Sequence, residues 1–207
     1  MLTGAGRAFS AGIDLKELGS AEAMGDSEAA ETSVVRAMGA FEGPIIAAVN
    51  GHAITGGFEL ALACDVLIAS TRAIFGDTHA RVGIVPGWGL SQKLPRLIGI
   101  GRAKELSFTG NFIDAEQAER WGLVNRVVEP EALLPTCRRL AEDMLSCDPP
   151  SLRRYKQMID RGYDEAFGEG LRLESRQSRE HLEGVTPDAV AERRAGIQRR
   201  GRGQQGS

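Results

Sequence analysis

The hydrophobic pattern changes character along the chain. Ile45-Ile46-Ala47-Ala48-Val49 and Val66-Leu67-Ile68-Ala69 are short and apolar at every position, which predicts strands buried on both faces. Ala73-Ile74-Phe75 reads as a third, shorter strand and Val124-Asn125-Arg126-Val127-Val128 as the last. Phe58 to Ala63 reads as helix, Pro86-Gly87-Trp88-Gly89-Leu90 as a loop feeding a helix through Leu97, and Gly101 to Phe108 and Ala115 to Trp121 as further helices. Upstream, residues 16–42 form a polar helical segment with Val34, Val35, Met38 and Phe41 at helical spacing, ended by Gly43-Pro44. From Glu131 onward the pattern is helical: Leu133, Cys137, Leu140 and Met144 share one face, as do Leu152, Tyr155 and Ile159. Leu2-Thr3-Gly4 reads as the end of a strand running into a Gly-Ala-Gly turn. Strands dominate early and helices late, with no repeat and no linker. The expected organisation is an α/β core over residues 1–148, a helical region over 149–200 and a disordered Gly/Arg/Gln tail over 201–207.

Composition narrows the class without naming a chemistry. A chain of 207 residues with 42% hydrophobic content can bury a real core. A net charge of -3 gives no electrostatic reason to expect nucleic acid, and the arginines near the end follow acidic residues as a solvated tail would. No apolar run approaches the about 18 residues of a membrane span, and without the charged-then-apolar pattern that would mark one no signal peptide is expected. The three cysteines, Cys64, Cys137 and Cys147, sit at no metal or redox spacing, so reduced thiols in a cytoplasmic protein are expected. His52, His79 and His181 show no His-x-x-x-His spacing, and no metal site is expected.

Two glycine-containing turns carry the candidate chemistry. Ala8-Phe9-Ser10-Ala11-Gly12-Ile13-Asp14-Leu15-Lys16 offers small residues for close backbone approach to a ligand, with Asp14 placed to cap a helix. Gly56-Gly57 opens the helix bearing Glu59, and the first N–H groups of a helix lack internal acceptors. Two such turns face to face would offer one N–H each to a developing oxyanion, and removing one such donor typically costs about 3 kcal/mol of transition-state stabilisation. Glu59, in a first helical turn, feels a dipole that favours its anion, while an apolar pocket pushes the other way; that balance leaves either a base or a simple helix cap.

Together these segments resemble the crotonase (enoyl-CoA hydratase/isomerase) family over nearly the whole chain. The matching residues are Leu2-Thr3-Gly4, Ala8 to Leu15, Pro44 to Gly51, Gly56-Gly57-Phe58-Glu59-Leu60-Ala61, Cys64-Asp65, Gly83-Ile84-Val85-Pro86-Gly87, and Gly110 through Gly122-Leu123-Val124-Asn125. The resemblance implies a crotonase-like spiral of ββα units with a helical C-terminal oligomerisation region, a homotrimer or dimer of trimers, and an acyl-CoA thioester substrate. It assigns the backbone N–H groups of Ile13 and Gly56 to the oxyanion hole, Ala11, Asp14, Leu15 and Lys16 to the segment along which CoA lies, and Glu59 to the first of two catalytic glutamates. No metal or redox cofactor is implied; coenzyme A enters as part of the substrate.

At the position of the second glutamate stands His79, within Gly76-Asp77-Thr78-His79-Ala80-Arg81. A neutral histidine titrates near pH 6.5 and can orient water or shuttle a proton, and Asp77 is close enough in sequence to share its space; the alternative is a loop histidine satisfied by hydrogen bonds. The expected function is hydration of a 2-enoyl-CoA in lipid or acyl-CoA catabolism. The alternatives are an enoyl-CoA isomerase, which needs a single base, and a non-catalytic oligomerisation module. Family members carry a strand–strand–helix unit before the segment at Leu2, so a shortened reading frame or a misplaced start is also expected. Trp88 is expected either to pack in the core or to wall an acyl pocket.

Overall fold

Residues 1–12 and 34–185 are described in a computed structural model of the protein. The chain divides into two compact units, Met1–Cys147 and the segment from Asp148. The first is built from strands β1 (Ala8–Ser10), β2 (Ile46–Val49), β3 (His52–Ile54), β4 (Val66–Ser70), β5 (Ile74–Gly76), β6 (Phe112–Asp114) and β7 (Arg126–Val128). With them run helices α1 (Gly56–Leu62), α2 (His79–Val82), α3 (Leu90–Ile98), α4 (Ile100–Thr109), α5 (Ala115–Arg120) and α6 (Pro130–Leu145). Residues 34–40 are also helical.

Consecutive strands enter different sheets. β2, β4 and β7 form a parallel three-stranded sheet, and β1, β3, β5 and β6 a four-stranded one in which only β6 runs antiparallel. Each pass therefore places one strand in the first sheet and the next in the second, then returns through a helix: β2–β3–α1, then β4–β5–α2. The parallel bridge between Leu2 and Ala47, followed by β1 beside β3, repeats the step at the start of the chain. This is the expected spiral of ββα units.

The all-apolar strands have the reason that their pattern suggests. Ala47, Val49, Leu67 and Ala69 point into the main core with Phe58, Phe75, Leu90 and Leu94. Their alternates Ile46, Ala48 and Ile68 point the other way, onto Leu133 and Cys137 of α6. A strand covered on both sides has no face left for polar residues. At the centre, the rings of Phe58 on α1 and Phe75 on β5 lie 5.5 Å apart and tilted, a favourable aromatic arrangement.

Three strands differ from the pattern-based expectation. β1 occupies part of the first glycine turn, β3 lies just before the glycines of the second, and β6 precedes α5 without an apolar run to mark it. Each has three residues, too few for period-two alternation to stand out. The last strand begins at Arg126, because the Asn125 side chain instead caps the neighbouring strand by accepting from Leu67 N at 3.0 Å. His79 lies at the start of a one-turn helix and not in a loop.

The second unit contains α7 (Pro149–Asp164) and α8 (Phe167–Leu182), packed as an antiparallel hairpin. Asp148 caps α7 by accepting from Ser151 N at 3.1 Å, with Pro149 in the first turn. Ser151 Oγ meets His181 Nε2 at 2.9 Å, and at the other end the backbones of Gly162 and Gly170 approach closely. The tail at 201–207 lies outside the described residues.

The start of α1 is pressed against β1. A Cβ added at Gly57 would lie 2.0 Å from the Ser10 carbonyl oxygen, a distance that main chain on both sides must move to relieve. Gly57→Ala is therefore expected to lower unfolding stability by about 1–3 kcal/mol in a denaturant titration. Gly39→Ala, in a helix with open space around its Cβ, is expected to stabilise by up to about 1 kcal/mol.

Candidate active site

Helix α1 begins in strain. Thr55, which precedes Gly56, has φ 55° and ψ -113°, the only positive φ outside glycine among the described residues. Conformations of this kind cost of order 1–3 kcal/mol and persist only where the surroundings enforce them. Here Thr55 N donates to Gly76 O at 2.9 Å, the Thr55 and Thr78 hydroxyls meet at 2.5 Å, and Thr78 N donates to Thr55 Oγ1. The turn entering α1 is thus laced to the turn entering α2. Glu59 on one and His79 on the other are brought together by that lacing.

The first glycine turn also arrives here. Gly12, at φ +87°, lies so close to the second turn that a Cβ on it would sit 3.1 Å from Ile54 O and 3.3 Å from Gly56 N. The two turns do pack against one another, as far as the described residues run. Ala11 is exposed. Ile13, Asp14, Leu15 and Lys16 lie outside the described residues, so the oxyanion-hole assignment has only its Gly56 half in view.

Glu59, Asp77 and His79 are 3%, 2% and 5% exposed, three ionisable groups in one nearly dry place. Glu59 Oε1 accepts from the main-chain N–H groups of Trp88 at 2.8 Å and Leu90 at 3.2 Å. It thereby supplies the acceptor that the N-terminus of α3 lacks, since Gly89 offers no side-chain cap. Glu59 Oε2 lies 3.4 Å from His79 Nε2, and Asp77 Oδ1 lies 2.6 Å from His79 Nδ1. Both ring nitrogens thus face carboxylate oxygens, and only the doubly protonated imidazolium can satisfy both.

The titration of the group agrees with its geometry. Burial pushes the His79 imidazole down, but hydrogen bonds to Asp77 and Glu59, with the charges of both, outweigh it and raise the ring to about 9. Burial pushes the Asp77 carboxyl up; bonds from the His79 ring, the Ser107 side chain and the His79 main chain outweigh that and hold it below its ordinary value. At neutral pH Asp77 and His79 thus form a carboxylate–imidazolium pair.

Sequence reasoning named Glu59 and His79, and the fold joins them. It noted Asp77 as a neighbour but did not see it as the third member, although Asp-x-His spacing was the available signal. It missed the Trp88 and Leu90 amides altogether, because the chain segment that supplies them is distant in sequence from Glu59. Trp88 itself is half-buried. Ser10 Oγ accepts from Gly12 N in the first glycine turn. No group of three or more metal-ligating side chains poised for an ion occurs among the described residues.

Comparison with known proteins follows the same line. A family model described as enoyl-CoA hydratase/isomerase matches residues 1–195. The chain is 44% identical over 190 residues to a protein of Arabidopsis thaliana named probable enoyl-CoA hydratase 1, peroxisomal, covering 91% of this chain and 71% of that one. It is 41% identical to a short-chain-enoyl-CoA hydratase of Clostridium acetobutylicum, covering 86% of this chain and 73% of the relative. A crystal structure of enoyl-CoA hydratase from Bacillus anthracis superposes with a TM-score of 0.86 at 38% identity, over 95% of this chain and 77% of that chain. With the spiral of ββα passes and the paired glycine turns, these matches establish that the chain belongs to the enoyl-CoA hydratase/isomerase family.

Proposed function

We propose that the protein is an enoyl-CoA hydratase, adding water across the double bond of a 2-enoyl-CoA in acyl-CoA catabolism. The observation that carries this reading is the buried Glu59–His79 contact, a base and an acid of opposite charge side by side. Hydration needs both, one to take a proton from water and one to deliver a proton to the α-carbon. The thioester carbonyl would rest on the N–H groups of Ile13 and Gly56, which stabilise the negative charge that develops on its oxygen.

The steps balance without any other reactant. Glu59 takes a proton from water as its oxygen bonds to the β-carbon, and the double-bond electrons move onto the thioester oxygen. The enolate then collapses as its α-carbon takes the His79 Nε2 proton. Glu59, now neutral, returns its proton across the short gap to His79 and restores the pair. Water addition is redox-neutral, so the CoA of the substrate is the only non-protein group the reaction requires, and Ala11, Asp14, Leu15 and Lys16 are assigned to its path. A protonated His79 favours hydration over double-bond isomerisation, which would need only Glu59.

A homotrimer is the proposed assembly. Its support is the exposed apolar surface of the helical hairpin, where Tyr155, Ile159, Tyr163 and Phe167 are all more than half exposed. A cytoplasmic setting is supported by the free cysteines at Cys64, Cys137 and Cys147. No helix among the described residues is long and apolar enough to cross a membrane.

Incubation with crotonyl-CoA is expected to yield 3-hydroxybutyryl-CoA, followed by loss of the enoyl-thioester absorbance. Glu59→Gln is expected to lower kcat by about 10²–10⁴-fold with little change in KM. Consumption of a 3-enoyl-CoA but not of crotonyl-CoA would make the protein an isomerase, and consumption of neither would reject catalysis. A second expectation concerns stability. The His79 ring is raised from 6.5 to about 9, so its ion pairs stabilise the fold fully below pH 6.5 and progressively less as pH rises through about 9. The melting temperature should fall over that alkaline window, and His79→Gln should flatten the fall.

A further inference from the structure

Asp77 has no part in the reaction as written above, yet it is among the most buried charged side chains described. Burying a carboxylate is costly, and the His79 ring is the charged partner of this one. A group whose only task was to fill space or satisfy an amide would not need a charge. Asp77 Oδ1 accepts twice from the same residue: from the ring at Nδ1 and from the His79 main-chain N–H at 3.2 Å. The double contact fixes both the position of the residue and the plane of its ring.

We propose that Asp77 is the positioning residue of this site, holding His79 as an imidazolium with its Nε2 proton turned toward Glu59 and the reacting α-carbon. The assignment rests on the hydratase reading. In this assignment Asp77 acts through His79, the residue its carboxylate holds. Without its charge the ring would face a single carboxylate, and its proton would leave at lower pH. It would also lose the acceptor that holds the Nδ1 proton and keeps the ring turned with Nε2 toward Glu59. The groups facing this assembly are Glu59 from α1, Asp77 itself from the segment before α2, and the Ser107 side chain from α4, which bonds Asp77 from behind. Ser107 is neutral, so the electrostatic hold on His79 comes from the two carboxylates.

The test is the pH dependence of kcat for crotonyl-CoA in the wild type, Asp77→Asn, His79→Gln and the double variant. Asp77→Asn, which keeps the shape and removes the charge, is expected to lower kcat at least about 10²-fold with KM little changed, and to move the alkaline limb to lower pH. In the His79→Gln background the same substitution should cost almost nothing further, because the residue it positions is gone. An NMR titration of the wild-type His79 ring gives a readout independent of turnover, with both nitrogens expected to stay protonated to about pH 9. Active wild type with an Asp77→Asn variant of nearly full kcat and unmoved alkaline limb would overturn the assignment alone, as would additive losses in the double variant or a ring titrating near its ordinary 6.5. A wild type that hydrates no enoyl-CoA would overturn the hydratase reading and this assignment together.

Discussion

An imidazolium held between two carboxylates in a nearly dry interior is the constraint around which the site is arranged. Desolvation works against every one of these charges, and only their mutual contacts offset it. The three side chains come from α1 and from the segment that enters α2, so these two pieces of chain must be brought to within hydrogen-bonding distance of one another. The strained Thr55, tied to Gly76 and Thr78, makes that approach. Strain at one residue and charge burial at three are local costs that the packed core on either side sustains.

The spiral explains why these pieces meet. Because successive strands alternate between two sheets, β3 and β5 lie side by side although β4 separates them in sequence. The turns that follow β3 and β5 therefore emerge at neighbouring positions, one opening α1 and the other α2. β1 on the other side of β3 brings the first glycine turn to the same edge. A third segment, Trp88 to Leu90, enters because α3 begins against Glu59 and lends it two amides. One carboxylate thus serves as helix cap, ion-pair partner and proposed base. The cap reading and the base reading of Glu59, alternatives at the level of sequence, are both features of the same side chain.

Much of the fold was legible before any coordinates. The apolar runs at 45–49 and 66–69 marked the central strands because burial on both faces leaves a signal that needs no context. The helices from Gly56 to Met144, except the one-turn α2 at His79, were marked by glycine and proline boundaries and by their apolar spacing. The three-residue strands β1, β3 and β6 were not, since hydrogen bonding to a neighbour, not their own pattern, makes them strands.

At the site the division is sharper. The sequence by itself determined the family, the paired glycine turns, and the identities of Glu59 and His79, because residue type and spacing are one-dimensional properties. What it left open was whether His79 was a helper or a satisfied loop residue. Only the tertiary structure decided that, by placing a carboxylate against each ring nitrogen and burying all three groups. The charge state of a histidine is a property of its surroundings, and those surroundings come from segments that the sequence sets apart and the spiral joins.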